Sequence, residues 1–344
     1  MLLSIESSCD DSSLALTRLE DCKLLWHAKI SQEAEHSAHG GVVPELASRL
    51  HAHNLPLLLQ KAKAFLGGKT PFAPLKAIAL TTRPGLAITL LEGLMMAKAL
   101  ALSLNLPLIS VDHLKGHLYS LFINQPCARF PLSALLVSGG HTLIIEARAP
   151  IDMRIIAQSL DDSLGESFDK VARMLGLGYP GGPVVEKLAR LCPAGEEHPF
   201  PLPLRQKNTL AFSFSGLKNA VRLAVAKAQP LSQELQAQIC AGFQTTACAH
   251  LLHKVRAYLQ SARVECFGLV GGVSANTYIR TQLENLCAEF GIELLLAPLE
   301  FCTDNAAMIG RAGVVAYQHA EFSDAHTLDI SPHTEIPQSA DSIL

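Results

Sequence analysis

Leu2–Thr17 reads LLSIESSCDDSSLALT, and Ser133–Ala147 reads SALLVSGGHTLIIEA. Each is an apolar, β-rich run, then a small polar loop, then a second apolar run. That pattern predicts strand, tight turn, strand. One copy opens the chain and the other opens its second part, so the pair predicts a duplicated α/β protein with two similar lobes and a cleft between them. The expected boundaries are an N-terminal lobe over 1–130 and a C-terminal lobe over 131–344, with a final helical region at about 305–320 that can pack back on the first lobe.

A third glycine turn fits the same scheme. Phe267–Asn276 reads FGLVGGVSAN, a short strand, a Gly-Gly turn and a small polar cap before a helix expected over Thr277–Phe290. Anionic groups bind where a helix N-terminus meets a strand end. The glycine pair matches neither the P-loop nor the G-x-G-x-x-G spacing. Further helices are expected at Pro44–Leu59 and Leu235–Gln260, and the proline-rich segment Cys192–Asn208 reads as a surface loop.

Composition narrows the class. The chain has 344 residues, 49% hydrophobic and 17% charged, enough for two domains with sizeable cores. A net charge of −3 calls for no polyanionic partner, although a local basic patch would be enough for one. The nine cysteines are odd in number and form no C-x-x-C pair, which argues against a disulfide framework or a zinc ribbon and for reduced thiols in the cytosol. MLLSIESSCDD has no basic leader. Glu92 and Lys98 interrupt the apolar stretch Gly85–Leu106, which is expected to be a buried core helix and not a membrane span.

Val111–Tyr119, VDHLKGHLY, sets His113 and His117 on one helix face, where both can meet one ion or simply share a surface. Asp112 or Ser110 can cap this helix. Gly116 costs about 1 kcal/mol relative to alanine there, which points to a close approach. A zinc protease would need H-E-x-x-H, and Leu114 follows His113 instead. Two histidines leave a ligand set incomplete. Asp304, in EFCTDNAAM after the β-like run Glu293–Ala297, is the candidate third ligand, with a helix N-cap as its ordinary alternative and Cys302 as a rival. DDSLGESFDKVARMLGLGYPGGP, residues 161–183, offers Asp169 and Lys170 for a ribose and a phosphate, and Gly181 and Gly182 for a flat ligand.

Taken in order, SIESSCDDSS, HGGVVPELASRLH, HLKGH, LLVSGGHT, DDSLGESFDKVARMLGLGYPGGP, FSFSGLKNAV, GGVSAN and FCTDNAAM closely resemble the bacterial TsaD family, tRNA N(6)-adenosine threonylcarbamoyltransferases formerly called glycoproteases. The resemblance runs from Ser4 to about Arg311. It implies an actin/Hsp70/sugar-kinase-like fold of the α/β class. It also implies transfer of threonylcarbamoyl from threonylcarbamoyl-AMP to the exocyclic amine of adenosine 37 in tRNAs reading codons that begin with A. The implied metal ligands are His113, His117 and Asp304, holding one iron or zinc ion per subunit. The implied substrate-binding residues are Leu136, Val137, Ser138, Gly139, Gly140, Asp169, Gly182 and Asn276. The implied partners are tRNA, a paralogous subunit (TsaB) and an ATPase (TsaE), in the cytoplasm and away from membranes.

The donor is already an activated mixed anhydride with AMP as leaving group, so no enzyme nucleophile is required. A metal can act as a Lewis acid, and backbone N–H groups at Ser138–Gly140 can bind developing charge. Asp10 or Asp11 is expected to accept or position the amine proton. The chain departs from the family at Asp11, usually glutamate; at Arg83–Leu90, where two glycines are lost; and at Ser167, usually asparagine. No basic run or aromatic RNA module is present; Lys207, Lys218, Arg222 and Lys227 are the candidates for a tRNA face. The rival readings are a kinase on the same fold, which has no use for the two histidines, and a non-catalytic nucleotide-binding scaffold.

Overall fold

The computed structural model describes residues 1–204 and 209–339. The strands are β1 (Leu2–Glu6), β2 (Asp11–Thr17), β3 (Leu24–Ser31), β4 (Ala77–Arg83), β5 (Leu108–Asp112), β6 (Leu132–Val137), β7 (Thr142–Ala147), β8 (Met153–Gln158), β9 (Cys266–Val270) and β10 (Glu293–Leu296). The helices are α1 (Glu33–Ser37), α2 (Pro44–Leu66), α3 (Ala87–Leu104), α4 (His113–Tyr119), α5 (Leu164–Met174), α6 (Gly181–Ala189), α7 (Ser215–Lys227), α8 (Gln233–Ser261), α9 (Thr277–Glu289) and α10 (Ala306–Gln318).

Both quoted repeats are hairpins. Leu2 pairs with Thr17 and Glu6 with Ser13 in the first. Leu132 pairs with Ala147 and Val137 with Thr142 in the second. The duplication extends to whole sheets: their orders are β3-β2-β1-β4-β5 and β8-β7-β6-β9-β10. In each, an antiparallel meander is followed by two parallel strands reached through helices, because parallel neighbours need a crossover.

The described residues form two compact units, Met1–Arg129 with Ala297–Glu335, and the described part of Phe130–Leu296 with Ile336–Ser339. Residues 297–335 fold with the first unit: the helical region at about 305–320, expected to pack back on that lobe, does so, and the flanking residues, expected in a C-terminal lobe of 131–344, go with it. Helix α10 explains why. Every residue from Ala306 to Ala316 is buried, including Arg311, so the helix has no face for water and must be enclosed.

Strand β1 alternates by the two-residue period. Leu3 and Ile5 join a core with Leu55, Leu58, Leu94 and Ala97 of α2 and α3. The opposite face meets α10: the Ser4 hydroxyl donates to the Ala306 carbonyl at 2.6 Å, and a Cβ on Gly310 would stand 2.5 Å from Thr17 Oγ1. Glu6 shares the parity of Ser4, so it points to the α10 side as well. The second unit buries Leu135, Val137, Phe168, Phe212, Phe243 and Phe267 in its own core.

One expectation changes, and a second, the close approach at Gly116, finds its neighbour. Helix α3 is not buried throughout: Leu94 and Ala97 face the core, but only one third of the helix is buried, and Ile88, Leu91, Met95 and Leu102 are exposed. It is long and apolar enough to cross a membrane, but it packs beside α2 and on β4, and Glu92 accepts a hydrogen bond from Ser48 at 2.7 Å. The close approach at Gly116 is made by α10. A Cβ there would lie 2.7 Å from Ile309 Cδ1 and 3.4 Å from Met308 Cγ. The obstacle is the tip of a flexible side chain, and alanine gains about 1 kcal/mol of helix propensity. Gly116→Ala is therefore expected to unfold within about 1 kcal/mol of the parent in urea; a loss of several would show that Ile309 cannot yield.

Candidate metal centre

Helix α4 begins where β5 ends. Asp112 is its N-cap and accepts from the Leu114 N–H at 2.9 Å, so His113 and His117 point from its first turns. Both imidazoles are buried, with ring centroids 4.6 Å apart. Asp304 reaches them from the loop before α10. Its Oδ1 lies 3.3 Å from His113 Nε2 and 3.2 Å from His117 Nε2. The ordinary alternative for Asp304 is removed by its neighbour, because Asn305 caps α10 by accepting from the Met308 N–H at 2.9 Å. The rival Cys302 turns away, donating to the Ala297 and Pro298 carbonyls at 3.7 and 3.5 Å.

These donors suit a cation. One ligand atom from each of the three residues lies within 4.8 Å of the others. Two ligands about 2.1 Å from a tetrahedral ion stand roughly 3.4 Å apart, close to the spacings seen. Neither ring nitrogen of buried His117 has a hydrogen-bond partner among the described residues, so Nε2 is near Asp304 without being aligned for a hydrogen bond. A buried, unpaired imidazole nitrogen is costly unless something else uses its lone pair.

Electrostatics agree. Burial works to lower the His113 pKa, yet Asp304 and Glu6 lift it well above its ordinary value. Burial lowers that of His117. Burial pushes Asp304 up, but the two histidines hold it well below the usual carboxylate range. The cluster demands positive charge, which a metal would supply in place of a proton.

Asp10 ends the turn after β1 and Asp11 opens β2 beside this centre, and their environments differ. Asp11 Oδ2 accepts from Lys29 Nζ at 2.8 Å, and the same ammonium donates to Thr303 Oγ1 at 3.0 Å. Asp10 has no ion pair among the described residues, and burial, with Asp11 and Asp304 nearby, raises its pKa to about 6. The turn is braced by Leu86 N–H donating to the Ser8 carbonyl at 2.9 Å. Gly85 survives where two family glycines are lost; a Cβ there would meet Ser8 O at 2.7 Å. Arg83, at one of the lost positions, pairs with Glu335.

The remaining implied residues belong to the second unit. Leu136 and Val137 end β6 and are buried. The Ser138 N–H donates to the His141 carbonyl at 2.8 Å, so it is committed to the turn and not offered to a ligand. Gly139 and Gly140 are exposed, with no heavy atom within 4 Å of where a Cβ would stand. Helix α5 begins against this turn: Ser163 Oγ donates to the Gly139 carbonyl at 2.5 Å, and a Cβ on Gly165 would stand 2.5 Å from Ser138 O. Asp169 Oδ1 accepts from the Gly181 N–H at 2.7 Å, which puts Asp169 beside Gly182. Asn276 caps α9 by accepting from the Ile279 N–H at 3.0 Å and donates to Gln244 at 2.9 Å.

Lys170 does not wait for a phosphate: it pairs with Asp162 and Glu166, both at 2.8 Å. Lys218 also pairs with Asp162, while Arg222 and Lys227 are exposed on α7. Lys207 lies outside the described residues.

Sequence reasoning missed Glu6, Thr81 and Lys29. The available signal was Glu6 itself, a lone carboxylate closing an otherwise uncharged buried strand, at the end where ligands gather in such folds.

A family model described as TsaD, tRNA N6-adenosine threonylcarbamoyltransferase, matches residues 23–311. Relatives bearing that name include one from Helicobacter pylori strain J99, 61% identical over 337 residues, covering 97% of this chain and 98% of that protein. Another, from Wolinella succinogenes, is 58% identical over 335 residues, covering 97% and 99%. Among solved structures, T. kodakarensis HypF aligns with a TM-score of 0.63 at 12% identity, covering 92% of this chain and 48% of that one. The Acidaminococcus fermentans (R)-2-hydroxyglutaryl-CoA dehydratase component A gives 0.52 at 13% identity, covering 93% and 97%. At such identities the likeness concerns fold alone, and the fold is of the actin/Hsp70/sugar-kinase-like class.

Proposed function

This chain belongs to the TsaD family of tRNA N6-adenosine threonylcarbamoyltransferases, and from that premise we propose how its own residues serve the transfer. The protein is a transferase that modifies adenosine in tRNA. The donor is threonylcarbamoyl-AMP and the acceptor is the exocyclic amine of adenosine 37.

His113, His117 and Asp304 hold one divalent ion, iron or zinc, a nitrogen-rich set with one carboxylate that suits either. Bound there, the ion supplies a Lewis acid and a fixed point for donor oxygens. The turn Ser138–Gly140 receives the anionic part of the donor through the Gly139 and Gly140 N–H groups, which an exposed glycine pair lets approach closely. Leu136 and Val137 set the turn's position, and Asp169, Gly182 and Asn276 complete the donor contacts. Attack by the amine on the carbamoyl carbon releases AMP and a proton. Asp10 takes that proton; Asp11 is held by Lys29 and keeps the turn in place.

The Asp10 role carries a pH signature. A base with a pKa near 6 is ionised increasingly as pH rises through that value, so single-turnover transfer should rise there and level off above. The sign for stability is opposite. A pKa raised from 3.8 means that ionising Asp10 disfavours the fold as pH climbs from 3.8 to about 6. Asp10→Asn is therefore expected to lose the rate limb near pH 6 and to raise the melting midpoint at pH 7.5 more than at pH 4. An unchanged rate profile would move the base elsewhere.

The α2 and α3 surfaces, with Leu57, Phe65, Ile88, Leu91, Met95 and Leu102 exposed, support a protein partner, here the paralogous subunit TsaB, with the ATPase TsaE completing the system. The setting is the cytoplasm. The observation that carries the reading is the convergence of Asp304 on the paired histidines. The test supplies partners, threonylcarbamoyl-AMP and unmodified tRNA, and analyses nucleosides by mass. Threonylcarbamoyladenosine is expected; its absence with loaded enzyme and active partners would overturn the reading.

A further inference from the structure

We infer that Glu6 is a positioning residue: its carboxylate fixes the tautomer and orientation of His113 so that Nε2 presents its lone pair beside Asp304. The inference rests on the metal-centre reading above.

Glu6 closes β1 and is fully buried. Its oxygens are occupied by donors. Oε1 accepts from the Ser8 N–H at 2.6 Å, and Oε2 accepts from the Thr81 hydroxyl at 2.5 Å. Oε2 also lies 3.1 Å from His113 Nδ1, and Ser8 Oγ lies 3.2 Å from the same nitrogen. A carboxylate surrounded by donors can only accept, so His113 Nδ1 carries the hydrogen. Once the second proton is gone, as metal binding requires, the neutral imidazole has its lone pair on Nε2, the atom 3.3 Å from Asp304. His117 lacks such a partner on Nδ1 among the described residues, so the orientation is built at one histidine of the pair.

Charge points the same way. A divalent ion with Asp304 as its only anionic ligand leaves one positive charge in a buried site, and the Glu6 carboxylate cancels it. Packing alone gives no reason for a carboxylate here, because a buried charge costs more than an apolar residue of similar size unless it is paired.

Glu6→Gln tests this. An amide has one acceptor and one donor end. In one orientation its NH2 faces Nδ1 and drives the hydrogen to Nε2; in the other it confronts the Ser8 N–H. The full-length protein, stripped of metal, is titrated with Zn2+ against a competing chelator, alongside Thr81→Val and His113→Ala. Partners that orient a ligand are worth about 10–100-fold in metal affinity, and Glu6→Gln is expected to lose that much, with Thr81→Val losing less. Histidine 15N spectra of the metal-free proteins, taken at a pH high enough for His113 to be neutral, should show its hydrogen on Nδ1 in the parent and not in Glu6→Gln, a readout that a merely structural role would not move.

If the parent binds one ion, His113→Ala does not, and Glu6→Gln binds as tightly as the parent with an unchanged tautomer, the Glu6 proposal alone fails. If the parent binds none, the metal centre itself fails. Should Glu6→Gln not fold, Thr81→Val decides: a folded protein with undiminished affinity overturns the proposal.

Discussion

Replacing His113 with alanine is expected to strip the bound ion and to abolish threonylcarbamoyl transfer while the chain stays folded. The centre is small, with one ligand atom from each of three residues within 4.8 Å of the others. Losing one imidazole leaves a bidentate remnant, and the affinity loss should exceed the roughly 100-fold upper range seen for partners that merely orient ligands. The buried Glu6 carboxylate also loses its imidazole partner, which costs about 1–3 kcal/mol, less than a domain's stability. Metal analysis and nucleoside mass analysis of one preparation check both consequences. Product at undiminished yield would remove His113 from the ligand set.

A neighbouring pair of changes separates ligand from cap. Asp304→Asn keeps the shape but gives up the anionic oxygen, so metal and activity should both go. Asn305→Ala removes the α10 cap at about 1 kcal/mol and should keep the metal.

Gly271→Ala should give the largest loss of stability. Gly271 has φ 93°, a conformation that costs other residues about 1–3 kcal/mol. A Cβ would also stand 2.4 Å from the Val137 carbonyl oxygen and 2.8 Å from its carbon. Both obstacles are backbone, at the end of β6, and no side-chain rotation clears them. The expected loss is about 3 kcal/mol or more, read as a lower denaturant midpoint for the second unit. Gly176→Ala is the control: its φ is 71° but nothing lies within 4 Å of the new carbon, so only the backbone cost of about 1–2 kcal/mol applies. Because Val137 leads into Ser138–Gly140, the variant should also weaken donor binding, while metal affinity, set within the first unit, stays constant. Equal midpoints for the two variants would show that the β6 and β9 ends move apart at little cost.

The amino-acid sequence by itself determined the repeated hairpins and the helix that carries His113 and His117 on one face, and it narrowed the cap to Asp112 or Ser110, of which the structure uses Asp112. Each rests on residues a few positions apart, where strand alternation, helical period and turn chemistry act locally. It also suggested Asp304, by its place after a strand. Only the tertiary structure decided that Asp304 meets the histidines while Asn305 takes the cap, that Lys29 claims Asp11, and that Glu6 lies behind His113. Those pairings join residues 6, 113 and 304 through sheet order and through the burial of α10, whose apolar faces and glycines press it against β1 and α4. The same long-range packing left only one third of α3 buried, because hydrophobicity along a helix says that a face should be buried and not which neighbour will bury it.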